Sequence, residues 1–149
     1  MTAEEKLLFD YVMRLGDNAL ILGQQLGALV TTGPELEEEM ATANFALDYI
    51  GQARLFFSLA ADVEGEGRSE DDLAFLRDSI DYHNVLLLEQ PNGDFAMSIA
   101  RQLYFEAFYQ HQLVALQSSS EPRIAEIAAK ASKEIDYHIR HSRQWLVHL

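Results

Sequence analysis

Between residues 8 and 29 the apolar side chains Leu8, Val12, Leu15, Ala19, Leu22, Leu26 and Leu29 recur at alternating intervals of four and three. That spacing puts all seven on one stripe of an α-helix, and a stripe of this length is stable in water only when it is buried along other helices. A strand would need alternation at every second residue, which the segment lacks. The rest of the chain keeps the helical spacing, with only three prolines and eight glycines to interrupt it in 149 residues. The sequence therefore predicts an all-α fold.

The breaks divide the chain into four long helices. The first is expected over 3–30, ended by Thr31-Thr32-Gly33-Pro34, with Pro34 suited to the first position of the next helix. The second carries Leu36, Met40, Ala43, Leu47, Ile50 and Phe57 as its expected seam and runs to Gly65-Glu66-Gly67. Residues 68–90 read as a crossover containing one short helix, over about 71–81. Pro91-Asn92-Gly93-Asp94 is a turn whose Asp94 can cap a third helix over 95–117. Ser118 to Pro122 forms the last break, and the fourth helix extends to about residue 147. Two helical hairpins joined by one long crossover make a ferritin-like four-helix bundle, a single domain over 1–149.

Composition removes whole classes of function. Without cysteine there are no disulfides, thiolate metal sites or cysteine nucleophiles. Twenty-four acids against eleven Lys and Arg give a formal charge of -13, which repels nucleic acid and anionic membranes. The charge is uneven: residues 121–149 hold five bases and four acids, so the chain before them carries -14. That acidity reads as a solvated surface or as a face for a complementary subunit. No apolar run is long enough for a membrane span, and Met1 to Asp10 lacks the pattern of a signal peptide, so a soluble, cytoplasmic protein is expected.

A bundle of this kind that activates dioxygen uses one Glu on each of two helices and a Glu-x-x-His pair on each of the other two. The spacing brings both side chains to one helix face and so to one metal pair. No Glu-x-x-His occurs here; the nearest approach is Glu134 with His138, one residue too far apart. No catalytic, cofactor-binding or metal-ligating residue is therefore expected. A vestigial polar cluster is expected from Asp17, Asp48, Gln52, Glu106, Glu134 and His138, flanked by Asn18, Asn44 and Gln110, with Arg54 and Arg101 as balancing bases. The competing reading is an irregular di-iron site built on Asp48, Glu106, Glu134 and His138. His138 and His141 share a helix face, but such a pair without facing acids reads as surface. Phe45, Tyr49, Phe56 and Phe57 on the second helix and Tyr104, Phe105, Phe108 and Tyr109 on the third read as core. The aromatics of the third helix surround much of its circumference, which points to burial on more than one side.

Several runs of residues resemble a known family. Arg14-Leu15-Gly16-Asp17-Asn18, the run from Asp48 to Arg54, the run from Glu89 to Ala96, Lys133 to His138 and Ser142 to Trp145 are similar to blocks of the PaaC-type subunits of bacterial phenylacetyl-CoA ring oxygenases, in the same order along nearly the whole chain. The resemblance implies a non-catalytic, structural subunit in a hetero-oligomer, with a homodimer as the form in isolation. Its partners would be a PaaA-like catalytic subunit, which carries the di-iron site and the substrate, and the other oxygenase components. In the register of the resemblance Tyr49 and Gln52 stand where the catalytic relative has Glu and His. The family continues well beyond four helices, so this chain is expected to be C-terminally shorter and to expose part of its bundle. A free-standing acidic bundle that binds some other protein is the remaining alternative.

Overall fold

A computed structural model describes residues 1–30 and 34–148. The described residues contain no strand. Helices α1 (Ala3–Ala28) and α2 (Leu36–Glu64) form one half of a four-helix bundle. A crossover follows, carrying the short helix α3 (Glu70–Phe75) and single 3-10 turns at Ser79–Asp81 and Leu86–Glu89. Helices α4 (Phe95–Leu116) and α5 (Pro122–His148) complete the bundle. The short helix expected over 71–81 is split, because the chain leaves helical geometry at Leu76 and re-enters it for one turn only.

Local chemistry accounts for the helix ends. Thr2 and Ser69 each accept a hydrogen bond from the third residue of their helix, while that residue's carboxylate accepts from the cap's own N–H. Asp94 accepts from Met97 N at 2.8 Å to start α4, as expected. Gly65 ends α2 at φ 70°, a conformation open to glycine without steric cost, and its N–H reaches Ala61 O. Pro122 opens α5, but Pro34 precedes the Glu35 cap of α2 instead of occupying its first turn. The turn expected at Thr31-Thr32-Gly33 lies outside the described residues.

Cross-bundle contacts fix the topology. Asp62 pairs with Arg123 and Glu38 with His141, so α2 and α5 are antiparallel neighbours. Tyr11 near the start of α1 accepts from Gln112 near the end of α4, so these two are antiparallel as well. Consequently α2 and α4 run parallel on a diagonal, which only a crossover spanning the bundle allows. Gly16 and Gly23 bring α1 close to α2, since a Cβ on either would lie 2.6 Å from the Phe57 ring or 2.9 Å from the Ile50 side chain.

The α1 seam behaves as expected: Val12, Leu15, Ala19, Leu22 and Leu26 are buried, with Leu8 and Leu29 half-buried. The α2 seam does so only in part: Phe57 is buried and Ala43 and Ile50 are half-buried, but Leu36, Met40 and Leu47 are exposed, and the buried side of the helix is filled by Phe45, Tyr49, Gln52, Ala53, Phe56 and Ala60 beside Phe57. The side chains of α2 that meet α4 and α5 include polar Tyr49 and Gln52, so a stripe counted from aliphatic residues falls on the wrong side of the helix.

The crossover is held against α1 by the polar pair Asp17 and Asn18. Arg77 places Nη2 2.5 Å from Asp17 Oδ1 and stacks over the Tyr82 ring at 4.1 Å. His83 N donates to Asp17 Oδ2 and Val85 N to Asn18 Oδ1, each at 2.8 Å. Farther along, Gln25 donates to the carbonyls of Leu88 and Gln90.

Candidate functional site, a buried polar layer

Halfway along the bundle a polar layer interrupts the apolar core. It draws Asp48, Tyr49 and Gln52 from α2, Gln102, Glu106 and Tyr109 from α4, and Glu134 and His138 from α5. Spacings of three and four along each helix place these groups on its inner face.

His138 is the centre of the layer and has no exposed surface. Its Nδ1 lies 3.2 Å from Glu106 Oε1, and its Nε2 lies 2.8 Å from Asp48 Oδ2. Where both carboxyl groups are ionised they accept, and the two contacts are then N–H donations from both ring nitrogens, the imidazolium form. Burial alone would lower the imidazole pKa, but the hydrogen bonds and charges of Asp48 and Glu106 outweigh it and hold the pKa above the ordinary value. The Phe45 ring closes one side, with centroids 4.0 Å apart.

Glu106, equally buried, receives three donors on one oxygen: Tyr49 Oη at 2.7 Å, Gln102 Nε2 at 2.9 Å and His138. Its Oε2 has no hydrogen-bond partner among the described residues. Gln52 links the diagonal, donating to Glu134 at 3.2 Å and accepting from Tyr109 Oη at 2.9 Å. Burial raises the Tyr49 and Tyr109 pKa values, with the Glu106 carboxylate adding to the rise at Tyr49, so both phenols stay protonated donors. Glu134 also titrates above the ordinary carboxyl range, through partial burial and the Asp48 carboxyl beside it, against a lowering hydrogen bond from Gln52. The layer opens to solvent at the α2–α5 groove, where the Asp48 side chain is 33% exposed.

Five of the six residues expected in the cluster, Asp48, Gln52, Glu106, Glu134 and His138, meet here. Asp17 does not: it faces the crossover and is satisfied by Arg77 and His83. Asn18 likewise serves the crossover, Asn44 is exposed, and Gln110 accepts from Ser132 at the edge of the layer. Neither expected base balances the acids. Arg54 is exposed and paired with Glu70, whereas Arg101 reaches Asn92 and the Gln90 carbonyl. The histidine pair is not a surface feature, since His138 is buried and the half-buried His141 lies with its Nε2 2.8 Å from Glu38 Oε2. Tyr49, expected only as core, and Gln102 and Tyr109 on α4 join the layer beyond the residues expected there. The positions of Gln102 and Tyr109, four before and three after Glu106, carry the signal on α4, which an aromatic-core reading of that helix conceals.

A carboxylate-bridged di-iron centre needs carboxylates on all four helices and two histidines. Here α1 supplies none to the layer, one histidine is present, and its two nitrogens are taken by the acids that would share the metals. Among the described residues no group of three or more His, Cys, Asp or Glu is arranged to hold a metal ion. The donor set does not fit such a centre.

The family described as phenylacetic acid catabolic protein matches residues 1–149 in full. The chain belongs to that family. Among phenylacetic acid catabolic proteins it is similar to the 1,2-phenylacetyl-CoA epoxidase component designated C in Escherichia coli (strain K12), with 51% identity over 139 residues. The match covers 93% of this chain and 56% of that relative, so the chain spans little more than half the relative's length. The all-helical bundle agrees with the fold expected for such members. No helix among the described residues is long and apolar enough to cross a membrane.

Proposed function

We propose that this chain is a structural, non-catalytic subunit of a multicomponent phenylacetyl-CoA epoxidase in phenylacetate catabolism, pairing with and steadying a separate di-iron catalytic subunit. The observation that carries the reading is His138, which stands between Glu106 and Asp48 as the layer's own cation. In a catalytic bundle that positive charge would come from metal; in this one a side chain supplies it, and the surrounding donors are spent on holding it. The family membership and the similarity to an epoxidase subunit support the assembly and the pathway. Cytoplasmic location follows from the same reading.

The alternative, an irregular di-iron site on Asp48, Glu106, Glu134 and His138, draws on the unpartnered Glu106 Oε2 and on the solvent opening at Asp48. Elemental analysis separates the two. Protein made in iron-replete cells and purified without chelators is expected to hold no stoichiometric iron and to consume no oxygen with phenylacetyl-CoA and reductant unless a catalytic subunit is added. About two irons per chain, removed by Glu134→Ala, would overturn the proposal.

A further inference from the structure

Bases are scarce in the first two-thirds of the chain, and they are not scattered. Residues 1–100 hold nineteen acids and only five Lys and Arg. Four of those five, Lys6, Arg14, Arg68 and Arg77, line one cleft of about 400 Å³ between the N-terminal half of α1 and the crossover. His83 lines it as well, and the acids of the lining are Asp10 and Asp81. The volume is in the range of small-molecule sites.

Ion pairs within the protein use part of this charge. Lys6 Nζ contacts Asp10 at 2.6 Å, and Arg68 holds Glu64 through Nε and Nη2. Arg77 is committed to Asp17 and to the carbonyls of Leu73 and Asp81. Arg14 and the His83 imidazole, both exposed, have no hydrogen-bond or ion-pair partner among the described residues. Arg68 Nη1 is unused too, and an ammonium such as Lys6 has three N–H groups, of which Asp10 takes one. Donors therefore outnumber acceptors in the cleft, where the exposed Asp81 is the one acid without a paired base. If these bases served only to neutralise the protein's own acids, Arg14 would be paired.

We infer that this cleft binds a small phosphate-bearing anion, with Arg14, Lys6 and the free edge of Arg68 holding the phosphate oxygens. A guanidinium presents a planar fork of N–H groups that matches two oxygens of one phosphate, and a multiply charged phosphate outcompetes the single carboxylate of Asp81 for it. Phe9, Met13 and Leu73 form an apolar wall beside the bases, on which the organic part of an ester can lie. Size and charge favour a small ligand over an acidic polypeptide. The chain as a whole carries -13, which repels an extended acidic segment along its length, whereas a compact anion responds mainly to the bases within a screening length of about 8–10 Å. The phosphate could be brought by a free nucleotide or by the diphosphate of a CoA thioester, and the chemistry that recognises it is the same.

Calorimetric titration of the 149-residue chain with sodium pyrophosphate, at low and constant ionic strength, tests this directly. Saturable binding to one site is expected, with a Kd of ~1 mM or tighter. Arg14→Gln and Lys6→Gln should each weaken it at least ~10-fold, because each removes a charged donor from the phosphate. Arg54→Gln, which takes the same charge from an exposed base paired with Glu70 outside the cleft, should leave it unchanged. Circular dichroism of each variant establishes that the bundle is folded. Titration with ADP and with coenzyme A separates the sources: tighter binding of coenzyme A assigns the cleft to a CoA thioester, and ADP binding at least as tight assigns it to free nucleotides. No saturation with pyrophosphate up to ~10 mM, or a loss in Arg54→Gln equal to that in Arg14→Gln, would overturn the inference. Arg14-dependent binding of a glutamate-rich peptide but not of pyrophosphate would also overturn it, in favour of a dock for an acidic segment.

Discussion

Replacing His138 with leucine keeps most of the side-chain volume and removes the only cation of the polar layer, so the loss of stability reports charge and not a cavity. Removing one partner of a fully buried ion pair costs about 3–5 kcal/mol. Glu106 would keep its hydrogen bonds from Tyr49 and Gln102, and Asp48 can turn to water at its exposed edge, which places the expected cost near the lower end, about 3–4 kcal/mol. For a bundle of this size that corresponds to a fall in Tm of roughly 6–16 °C. The assay is urea unfolding followed by circular dichroism at several pH values. His138 titrates above its ordinary value in the native state, so native protein holds the proton more tightly than unfolded chain. Its contribution is complete below a pH of about 6.5, the unfolded value, and disappears as pH rises through the raised native pKa. The gap between wild type and His138→Leu is therefore widest near pH 6 and closes in alkali. Adding Glu106→Gln retains an acceptor oxygen for Tyr49 and Gln102 but removes the charge, so the double variant should recover at least ~1.5 kcal/mol relative to additivity. A penalty under about 1 kcal/mol, or one that is the same at pH 6 and pH 10, would show that His138 is not the layer's cation.

Asp17→Asn weakens the Arg77 clamp, in which the Arg77 side chain is 12% exposed. A local loss of about 2 kcal/mol should speed amide hydrogen exchange over 77–88 roughly 30-fold while the α2 amides change little, and uniform acceleration would contradict a local clamp. Gly16→Ala drives a methyl to 2.6 Å from the buried Phe57 ring and should cost about 1–3 kcal/mol by thermal unfolding, whereas Gly27→Ala, which meets nothing within 4 Å, should be neutral or stabilising. Glu134→Gln removes a carboxyl that burial and Asp48 hold above its ordinary pKa. The wild type should therefore lose stability relative to this variant as pH rises from about 4.5, and a variant that is relatively less stable at pH 7 than at pH 4 would reverse the sign.

What can be read from the sequence follows where apolar side chains alone decide burial. The α1 stripe needs no correction, because its buried side chains are all apolar and its polar pair, Asp17 and Asn18, faces the crossover beside that stripe. The helix ends at Asp94, Pro122 and Gly65 are equally legible, since each rests on one local hydrogen bond or one backbone angle. On α2 the aromatic residues Phe45, Tyr49, Phe56 and Phe57 and the polar Gln52 are read correctly as inward, whereas the aliphatic stripe through Leu36, Met40 and Leu47 points outward. Aliphatic spacing alone misplaces it, because the inward face is completed by Tyr49 and Gln52, which meet Glu106, Glu134 and Tyr109 on other helices. Asp17 falls into the expected cluster for the related reason that helical spacing gives a face but not the element opposite it, and the element opposite is the crossover. Arg77, its true partner, sits sixty residues away in a segment with little periodicity to interpret.

The polar layer and the exposed apolar face of α4 are two sides of one helix. Turning Gln102, Glu106 and Tyr109 inward leaves the outer arc to Met97, Tyr104 and Phe108, because residues seven and four apart return to the same side. A helix with both arcs apolar would be indifferent to rotation about its axis. Here rotation by one residue, about 100°, would bring Glu106 out of reach of His138 and Tyr49 and strand their donors in the core, at about 1–3 kcal/mol for each buried group left unpaired. The hydrogen bonds at the centre thus fix which side of α4 faces outward.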